Sequence, residues 1–282
     1  MPPDVALARG LVDMEGARHR RARMRPPTGH AELELAARGP GERVALEEAL
    51  ELLAGCVERI GGFHEVSAAL IGALSRGDRA RLALAARASA QGDAVPLVVQ
   101  CPAAGCGALA DLALSTTDLL GDTTSPRPLD VTVATPDGDF TVREPSGDDE
   151  RAAGGSDDAL WGRLVSRGGE PVGAEGWSAL DPASVQELAI ALAALDPGAD
   201  LAIVSSCPQC GTWIEVELDP VELLVQSLAT GEQRLLAEVH SLAFHYGWSE
   251  ADILALPRPR RFAYLGLLRD QVEGRPLTGA GA

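Results

Sequence analysis

Apolar residues recur every three or four positions in the first third of the chain, and this period predicts amphipathic helices. The first predicted helix covers residues 42–60, and the glycine pair at 61–62 should end it. A second helix is expected over residues 66–74 and a third over 78–90. Residues 1–30 lack such a period and contain a proline pair, so we expect an irregular arm there.

A strand–turn–strand pattern then occurs twice along the chain. In the second copy, Ile214, Val216 and Leu218 alternate with Glu215 and Glu217, which predicts a strand with one buried face. Each copy carries two cysteines in its turn and a short helical stretch after its strands. The predicted elements are strand 96–100, turn 101–107, strand 109–114 and helix 118–120, then strand 201–204, turn 207–211, strand 213–218 and helix 221–224.

The segment between the two copies predicts a hairpin, a loop and a helix. Alternating residues at 129–133 and 140–143 flank a Pro-Asp-Gly-Asp turn, which is typical of a β-hairpin. Residues 144–178 are rich in Gly, Asp and Ser, and we expect mobile loop there. A helix is expected over 181–195, with Asp181 as its N-cap and a proline in its first turn.

The last part of the chain predicts three short helices within residues 232–270. Gly247 should end the first helix, Ser249 should begin the second, and Pro257 should separate the second from the third. We expect Trp248 to pack at the corner between the first two helices.

Composition and charge then restrict the class of protein. The chain has 282 residues and a net charge of -17, with 46% hydrophobic residues, as in globular proteins. It has no run of about 18 apolar residues, so we expect no membrane span. Its start lacks the layout of a secretory signal, so we expect a cytoplasmic protein. The acidic balance disfavours nucleic-acid binding, which needs a basic surface, although arginines cluster near both ends.

The paired cysteines are the strongest chemical signal. Cys207 and Cys210, followed by glycine, have the spacing of half a tetrahedral zinc site, and Cys101 and Cys106 form a wider turn of the same kind. Disulfides, free buried thiols and a redox pair are the alternatives. The expected compartment disfavours disulfides, and a redox pair usually begins a helix rather than joining two strands. We predict one structural zinc ion per chain, while Cys56 is expected to be a core residue.

The sequence shows no catalytic pattern. It lacks a phosphate loop, a dinucleotide fingerprint and a nucleophile elbow. His240 and His245 are five residues apart, so they do not share a helix face and do not suggest a metal site. A four-thiolate zinc site also leaves no position for a reacting water molecule. We therefore expect that the protein is not an enzyme.

These elements predict an α+β fold with helical N- and C-terminal regions around a split four-cysteine zinc ribbon that contains an inserted β-hairpin and helix. The predicted segments are an N-terminal arm and helical region (1–94), the first half of the ribbon (95–120), the insertion (121–198), the second half of the ribbon (199–225), a C-terminal helical unit (226–275) and a disordered tail (276–282).

The C-terminal unit concentrates aromatic and arginine side chains, which are the usual anchors of protein interfaces. A self-contained packing unit and a docking surface are equally compatible with this composition. On the docking interpretation, the arginines of the last helix face outward and bind an acidic partner segment. The candidate partner-binding residues are Trp248, Arg258, Arg260, Arg261 and Tyr264.

The C-terminal run from His240 to Pro257, with the arginines and Tyr264 that follow, resembles the T-even-like phage baseplate protein family. The two cysteine turns and the segment Arg25-Pro26-Pro27-Thr28-Gly29 are also similar to that family, so the resemblance spans most of the chain. The wide first cysteine turn and the Gly-rich insertion depart from the family's usual pattern.

The resemblance implies a non-catalytic assembly factor or chaperone of a baseplate or hub, in a contractile phage tail or a contractile injection system. Its partners would be baseplate, hub, spike or tape-measure proteins, and it would act in the producing cell or in the assembled particle. The alternatives are a zinc-ribbon protein that binds nucleic acid or is regulatory, and an enzyme with a structural zinc.

Overall fold

The computed structural model describes residues 4–36, 44–121, 128–196, 198, 201–229 and 231–275; the predicted tail at 276–282 lies outside them. The strands are β1 (Asp4–Val12), β2 (Arg18–Met24), β3 (Val57–Ile60), β4 (Ala94–Gln100), β5 (Leu109–Ser115), β6 (Asp130–Thr135), β7 (Gly138–Arg143), β8 (Val165–Arg167), β9 (Glu170–Pro171), β10 (Leu201–Ser206) and β11 (Trp213–Leu218). The helices are α1 (Gly29–Ala36), α2 (Leu46–Cys56), α3 (Ala68–Gly72), α4 (Arg76–Gln91), α5 (Thr116–Leu120), α6 (Gly147–Ala153), α7 (Asp157–Leu164), α8 (Gly173–Ser178), α9 (Pro182–Leu195), α10 (Pro220–Leu228), α11 (Glu232–Tyr246), α12 (Glu250–Ala255) and α13 (Arg258–Val272).

The sheets among these residues are antiparallel, so the predicted α+β class is confirmed. They comprise β1-β2-β3, β4-β5, β6-β7-β8-β9 and β10-β11. The first sheet and helices α2 and α4 enclose the largest apolar core. The division of the chain into six segments stays a prediction.

The N-terminal arm is not irregular, because β1 and β2 form two strands of the first sheet. The arginine run of β2 conceals the strand pattern. Ala22 and Met24 of this strand are fully buried, whereas the neighbouring Arg21 is exposed. The predicted helix over 42–60 also ends early, at Cys56. Residues 57–60 pair with β2 instead, because β-branched Val57 and Ile60 fit a strand buried beneath α2.

The inserted segment is more ordered than its composition suggests. The hairpin predicted around residues 136–139 is confirmed as β6 and β7, and the helix capped by Asp181 is confirmed as α9. The prediction of a mobile loop over 144–178 is wrong, since that stretch forms α6, α7, β8, β9 and α8. Trp161 and Trp177 stack with ring centroids 4.6 Å apart and add an apolar contact that Gly and Asp content does not reveal.

The three predicted C-terminal helices are present as α11, α12 and α13. Gly247 ends α11 in a left-handed conformation with φ of 69°, and the Ser249 hydroxyl accepts a hydrogen bond from the backbone of α12. Trp248 lies at the corner as predicted, 4.9 Å from both the Tyr246 and Tyr264 ring centroids. The outer helices have 15 residues each, so they are not short.

Two of the arginines predicted to face outward are buried. Arg258 and Arg261 are 4% and 0% exposed, and both bind the carboxylate of Glu32 in α1. The ion-pair distances are 2.7 Å to Arg258 and 2.8 Å to Arg261. Glu238 of α11 accepts a further hydrogen bond from Arg261. We call Glu32, Glu238, Arg258 and Arg261 the terminal clasp, because it joins the first helix of the chain to the last.

The N-terminal Thr-Gly segment completes this contact. Thr28 forms a β-bridge with Pro257, and the backbone N–H of Gly29 donates to the Leu256 carbonyl. A Cβ on Gly29 would lie 3.0 Å from both the Arg261 guanidinium and the Leu254 backbone, so only glycine fits without displacing them. The segment therefore docks on the loop between α12 and α13.

The change Glu32→Gln should destabilise the protein by about 3 to 5 kcal/mol, because it leaves buried guanidinium charge uncompensated. The matched control is Glu34→Gln, an exposed position in the same helix, which should shift stability by less than about 0.5 kcal/mol. Urea unfolding measures both. Equal effects of the two changes would contradict the role of the clasp.

Three buried carboxylates meet where β1, α4 and the insertion come together. Asp78 accepts hydrogen bonds from the backbone N–H groups of Ala8 and Gly10, both at 2.6 Å, and Asp196 accepts from Gly77. Glu144 is 2% exposed, and its Oε2 atom lies 3.7 Å from the Arg9 guanidinium without a hydrogen bond. Burial, with the charge of Asp196, raises the pKa of Glu144 to about 7.

We expect stability to fall as the pH rises from about 4.5 to 7, because folded Glu144 keeps a proton that the unfolded chain has released. The change Glu144→Gln should flatten this slope by up to about 3 kcal/mol over that range. The control Glu51→Gln, at an exposed position of α2, should leave the slope unchanged. Chemical unfolding at a series of pH values gives the slopes, and parallel curves for wild type and Glu144→Gln would refute the assignment.

Candidate metal centre

Two β-hairpins carry the paired cysteines, as the repeated sequence pattern predicts. Strands β4 and β5 pair in register from Ala94 with Ser115 to Gln100 with Leu109, and β10 and β11 pair from Leu201 with Leu218 to Ser206 with Trp213. The predicted helices that follow are confirmed as α5 and α10. Each cysteine turn therefore lies at the tip of a rigid two-stranded ribbon.

The two turns share a backbone design despite their different lengths. The N–H of Cys101 donates to the Ala108 carbonyl, and that of Cys207 donates to the Thr212 carbonyl, both at 2.8 Å. The glycine after the second cysteine has a positive φ in each turn, 59° at Gly107 and 74° at Gly211. Because L side chains rarely adopt this conformation, glycine lets the chain curl around the sulfur atoms.

The hairpins bring the four sulfur atoms to one point. The Sγ atoms of Cys101 and Cys210 are 3.6 Å apart, and those of Cys106 and Cys207 are 3.8 Å apart. All four sulfurs lie within 4.8 Å of one another. A tetrahedral ion with metal–sulfur bonds of about 2.3 Å would separate its sulfur ligands by about 3.8 Å. The four thiols therefore fit a single tetrahedral ion.

These separations exclude disulfides, which need sulfur atoms about 2.05 Å apart, and all the cysteines are free. The cluster is also enclosed on the protein side, since Cys101 and Cys207 are buried against Ala110 and Ile214 between the two hairpins. Cys210 is exposed at the rim. Among the residues that the structure describes, this is the group of His, Cys, Asp and Glu side chains suited to holding a metal.

The four thiols differ in how readily they lose a proton. Hydrogen bonding with Thr212, first through its side chain and then through its backbone, lowers the pKa of Cys210 to about 6. The Ala103 backbone favours ionisation of Cys101, but burial and the neighbouring thiols outweigh it and raise the pKa of Cys101 to about 12. A bound cation would favour loss of the thiol protons, because the thiolate is the form that binds a metal.

The other predicted site residues do not form one surface. Trp248 and Tyr264 are partly buried in the C-terminal core and Arg258 and Arg261 belong to the terminal clasp, while Arg260 is exposed. Cys56 is 1% exposed in the main core, as predicted, and its pKa is raised to about 12 by burial. The sequence interpretation missed Glu32 and Glu238, because nothing in the local sequence distinguishes a buried Glu of a helix from a solvated one.

Comparisons with protein-family models, with curated proteins and with solved structures give no match to this chain. In the part of the chain that the structure describes, no helix is both long and apolar enough to cross a bilayer.

The purified protein should carry about one metal ion per chain, and Cys207→Ser should lose it, because a three-thiolate set no longer closes the tetrahedron. A chelator should lower the melting temperature of the wild type, since the ion joins hairpins about a hundred residues apart in sequence. Elemental analysis and thermal unfolding provide the readouts. Cys56→Ala is the control that should keep its metal. Equal metal content in both variants would contradict the site.

Proposed function

We propose that the four-cysteine cluster holds zinc in a structural role. Four thiolates in a tetrahedral arrangement are a characteristic ligand set of structural zinc, which has no redox chemistry of its own. The ligands would be Cys101, Cys106, Cys207 and Cys210, so the two hairpins would form the halves of one split zinc ribbon. An ion with four protein ligands has no open position for a substrate or a water molecule.

We further propose that the protein is a non-catalytic assembly factor of a baseplate or hub, in a contractile phage tail or a contractile injection system. The observation that carries this proposal is that the segments resembling the T-even-like phage baseplate family meet in space. Thr28 and Gly29, near the start, dock on Leu256 and Pro257, more than two hundred residues later. Residues of both segments that carry the resemblance therefore contribute to one scaffold, which supports an architectural role.

The charge distribution supports protein partners over nucleic acid. The net charge of -17 would repel phosphates, while hub, spike or tape-measure proteins need only a complementary local surface. The exposed Trp213 (72%) and Val204 (61%) on the second hairpin add apolar contact area of the kind found at interfaces.

The test is co-expression of a tagged chain with the hub, spike and tape-measure proteins of a contractile particle from the same genome. Co-purification with one of them at physiological salt is the expected result, and deletion of the gene should reduce particle numbers in electron micrographs by at least about tenfold. Complementation with the wild type should restore them, while Cys207→Ser should not. Normal particles in the deletion strain, or retention of the protein on DNA-cellulose at that salt, would overturn the proposal.

A further inference from the structure

Two stretches of the chain are related to one another without gaps. Residues 67–87, which form α3 and α4, align with 249–269, which form α12 and most of α13. The identical pairs are Ser67 and Ser249, Ala69 and Ala251, Ile71 and Ile253, Ala73 and Ala255, Leu74 and Leu256, Arg76 and Arg258, Arg79 and Arg261, and Arg87 and Arg269. Residues 24–32 align in the same way with 142–150, with identity at Arg25 and Arg143, Pro27 and Pro145, Gly29 and Gly147, and Glu32 and Glu150.

In the structure, the first copy of each repeat contacts the second copy of the other repeat. Glu32 binds the second arginine pair in the terminal clasp, whereas Glu150 binds the first pair, Arg76 at 3.1 Å and Arg79 at 2.7 Å. We call Glu150, Arg76 and Arg79 the central clasp. Its backbone contact is also equivalent, because Ser146 bridges Ser75 as Thr28 bridges Pro257.

The local geometry of the two clasps agrees closely. A Cβ on Gly29 would lie 3.0 Å from Arg261 Nη1, and one on Gly147 would lie 2.9 Å from Arg79 Nη1. The same hypothetical atoms would lie 3.0 Å from Leu254 Cα and 3.1 Å from Gly72 Cα, which are aligned positions. Corresponding positions of α4 and α13 can therefore be compared directly.

On α4, the side defined by residues 78, 81 and 85 is covered by strand β1. Asp78 accepts hydrogen bonds from the backbone N–H groups of β1, and Arg81 donates to the Ala6 carbonyl at 2.8 Å. Ala85 is 3% exposed in the core to which β1 contributes. An extended segment thus lies along this side of the helix, held by the Asp78 carboxyl group near the N-terminal end of α4.

The corresponding side of α13 is exposed in the part of the chain that the structure describes. It consists of Arg260, Ala263 and Leu267, and all three are exposed, with Leu267 at 38%. The acid at position 78 is replaced by a base at 260, and the small Ala85 is replaced by a larger apolar residue. We call Arg260, Ala263 and Leu267 the open face of α13.

We propose that the open face of α13 binds an extended acidic segment of another protein, in the place that β1 occupies on α4. The residue at the anchoring position, which is 78 on α4 and 260 on α13, determines which chemical group can bind there. Asp78 receives backbone N–H donors, whereas Arg260 can only donate, and its planar fork matches a carboxylate. Leu267 offers an apolar contact about two turns further along the same face. The partner's identity as a hub, spike or tape-measure protein rests on the proposed function.

The occupant can be captured by a photo-reactive benzophenone amino acid in place of Ala263, in the full-length chain and in cells that express the neighbouring genes. The control places the same group at position 272, which is exposed and lies about 180° around the helix from 263. We expect a cross-link from 263, at least about fivefold stronger than from 272, to a segment of another protein that contains Asp or Glu. A cross-link to a second copy of this chain, a segment without acids, or equal yields from both positions would overturn the proposal.

Charge reversal tests the anchoring role of Arg260. The change Arg260→Glu should reduce cross-linking from position 263 by at least about tenfold at low salt and less at high salt. The matched control Arg269→Glu makes the same charge change on the opposite side of the same helix and should stay within about twofold. Both variants should unfold at the wild-type urea concentration, since both positions are exposed.

The outcomes separate this proposal from the proposed function. A cross-link to an acidic segment of a protein that is not part of any particle would support the open face and refute the baseplate role. Co-purification with hub proteins that Arg260→Glu leaves unchanged, with no cross-link from 263, would refute the open face and retain the baseplate role.

Discussion

The carboxylate of Glu32 is buried and forms ion pairs with two arginines that are also buried. Such an arrangement is stable only when every charge is matched, since the cost of removing ions from water is otherwise not recovered. In the terminal clasp, the two carboxylates of Glu32 and Glu238 balance the two guanidinium charges of Arg258 and Arg261. Other guanidinium N–H groups of these arginines donate hydrogen bonds to the carbonyls of Ser227, Leu228 and Leu256. The rest of the fold depends on this clasp because it joins the two ends of the chain.

Three long-range contacts join distant parts of the chain: the central clasp and the cysteine cluster interleave in sequence, and the terminal clasp spans both. The terminal clasp joins residue 32 to 258 and 261, the central clasp joins 76 and 79 to 150, and the cysteine cluster joins 101 and 106 to 207 and 210. Removing either cysteine-bearing hairpin, or the helices of either clasp, would break one of these three contacts. The four-cysteine cluster is therefore better described as a link between two distant hairpins than as an independent module.

The sequence predicted well those elements whose signals are local. The strand–cysteine–strand repeats, the Gly247 stop, the Ser249 start and the Asp181 cap all depend on residues within a few positions of one another. The predictions failed where tertiary contacts decide. Strand β2 appeared to be a basic surface run because its buried residues are a lone Ala22 and Met24, and residues 57–60 fit a helix and a strand equally well until β2 is placed beside them.

The candidate site residues also divide into those that a local sequence signal identifies and those that tertiary contacts decide. Spacing alone identified the four cysteines, whereas the buried arginines were assigned to the surface because no local signal separates Arg258 and Arg261 from Arg260. Only the repeat of Arg76 and Arg79 at the same spacing distinguishes them, and it becomes meaningful once both pairs are seen to hold a glutamate. The two units agree at the charges that close the clasps and differ at the aligned positions 78 and 260, where Asp78 is buried against β1 and Arg260 is exposed. Shared residues therefore maintain the architecture, and the positions where the units diverge, such as Asp78 and Arg260, are where a specific partner can be recognised.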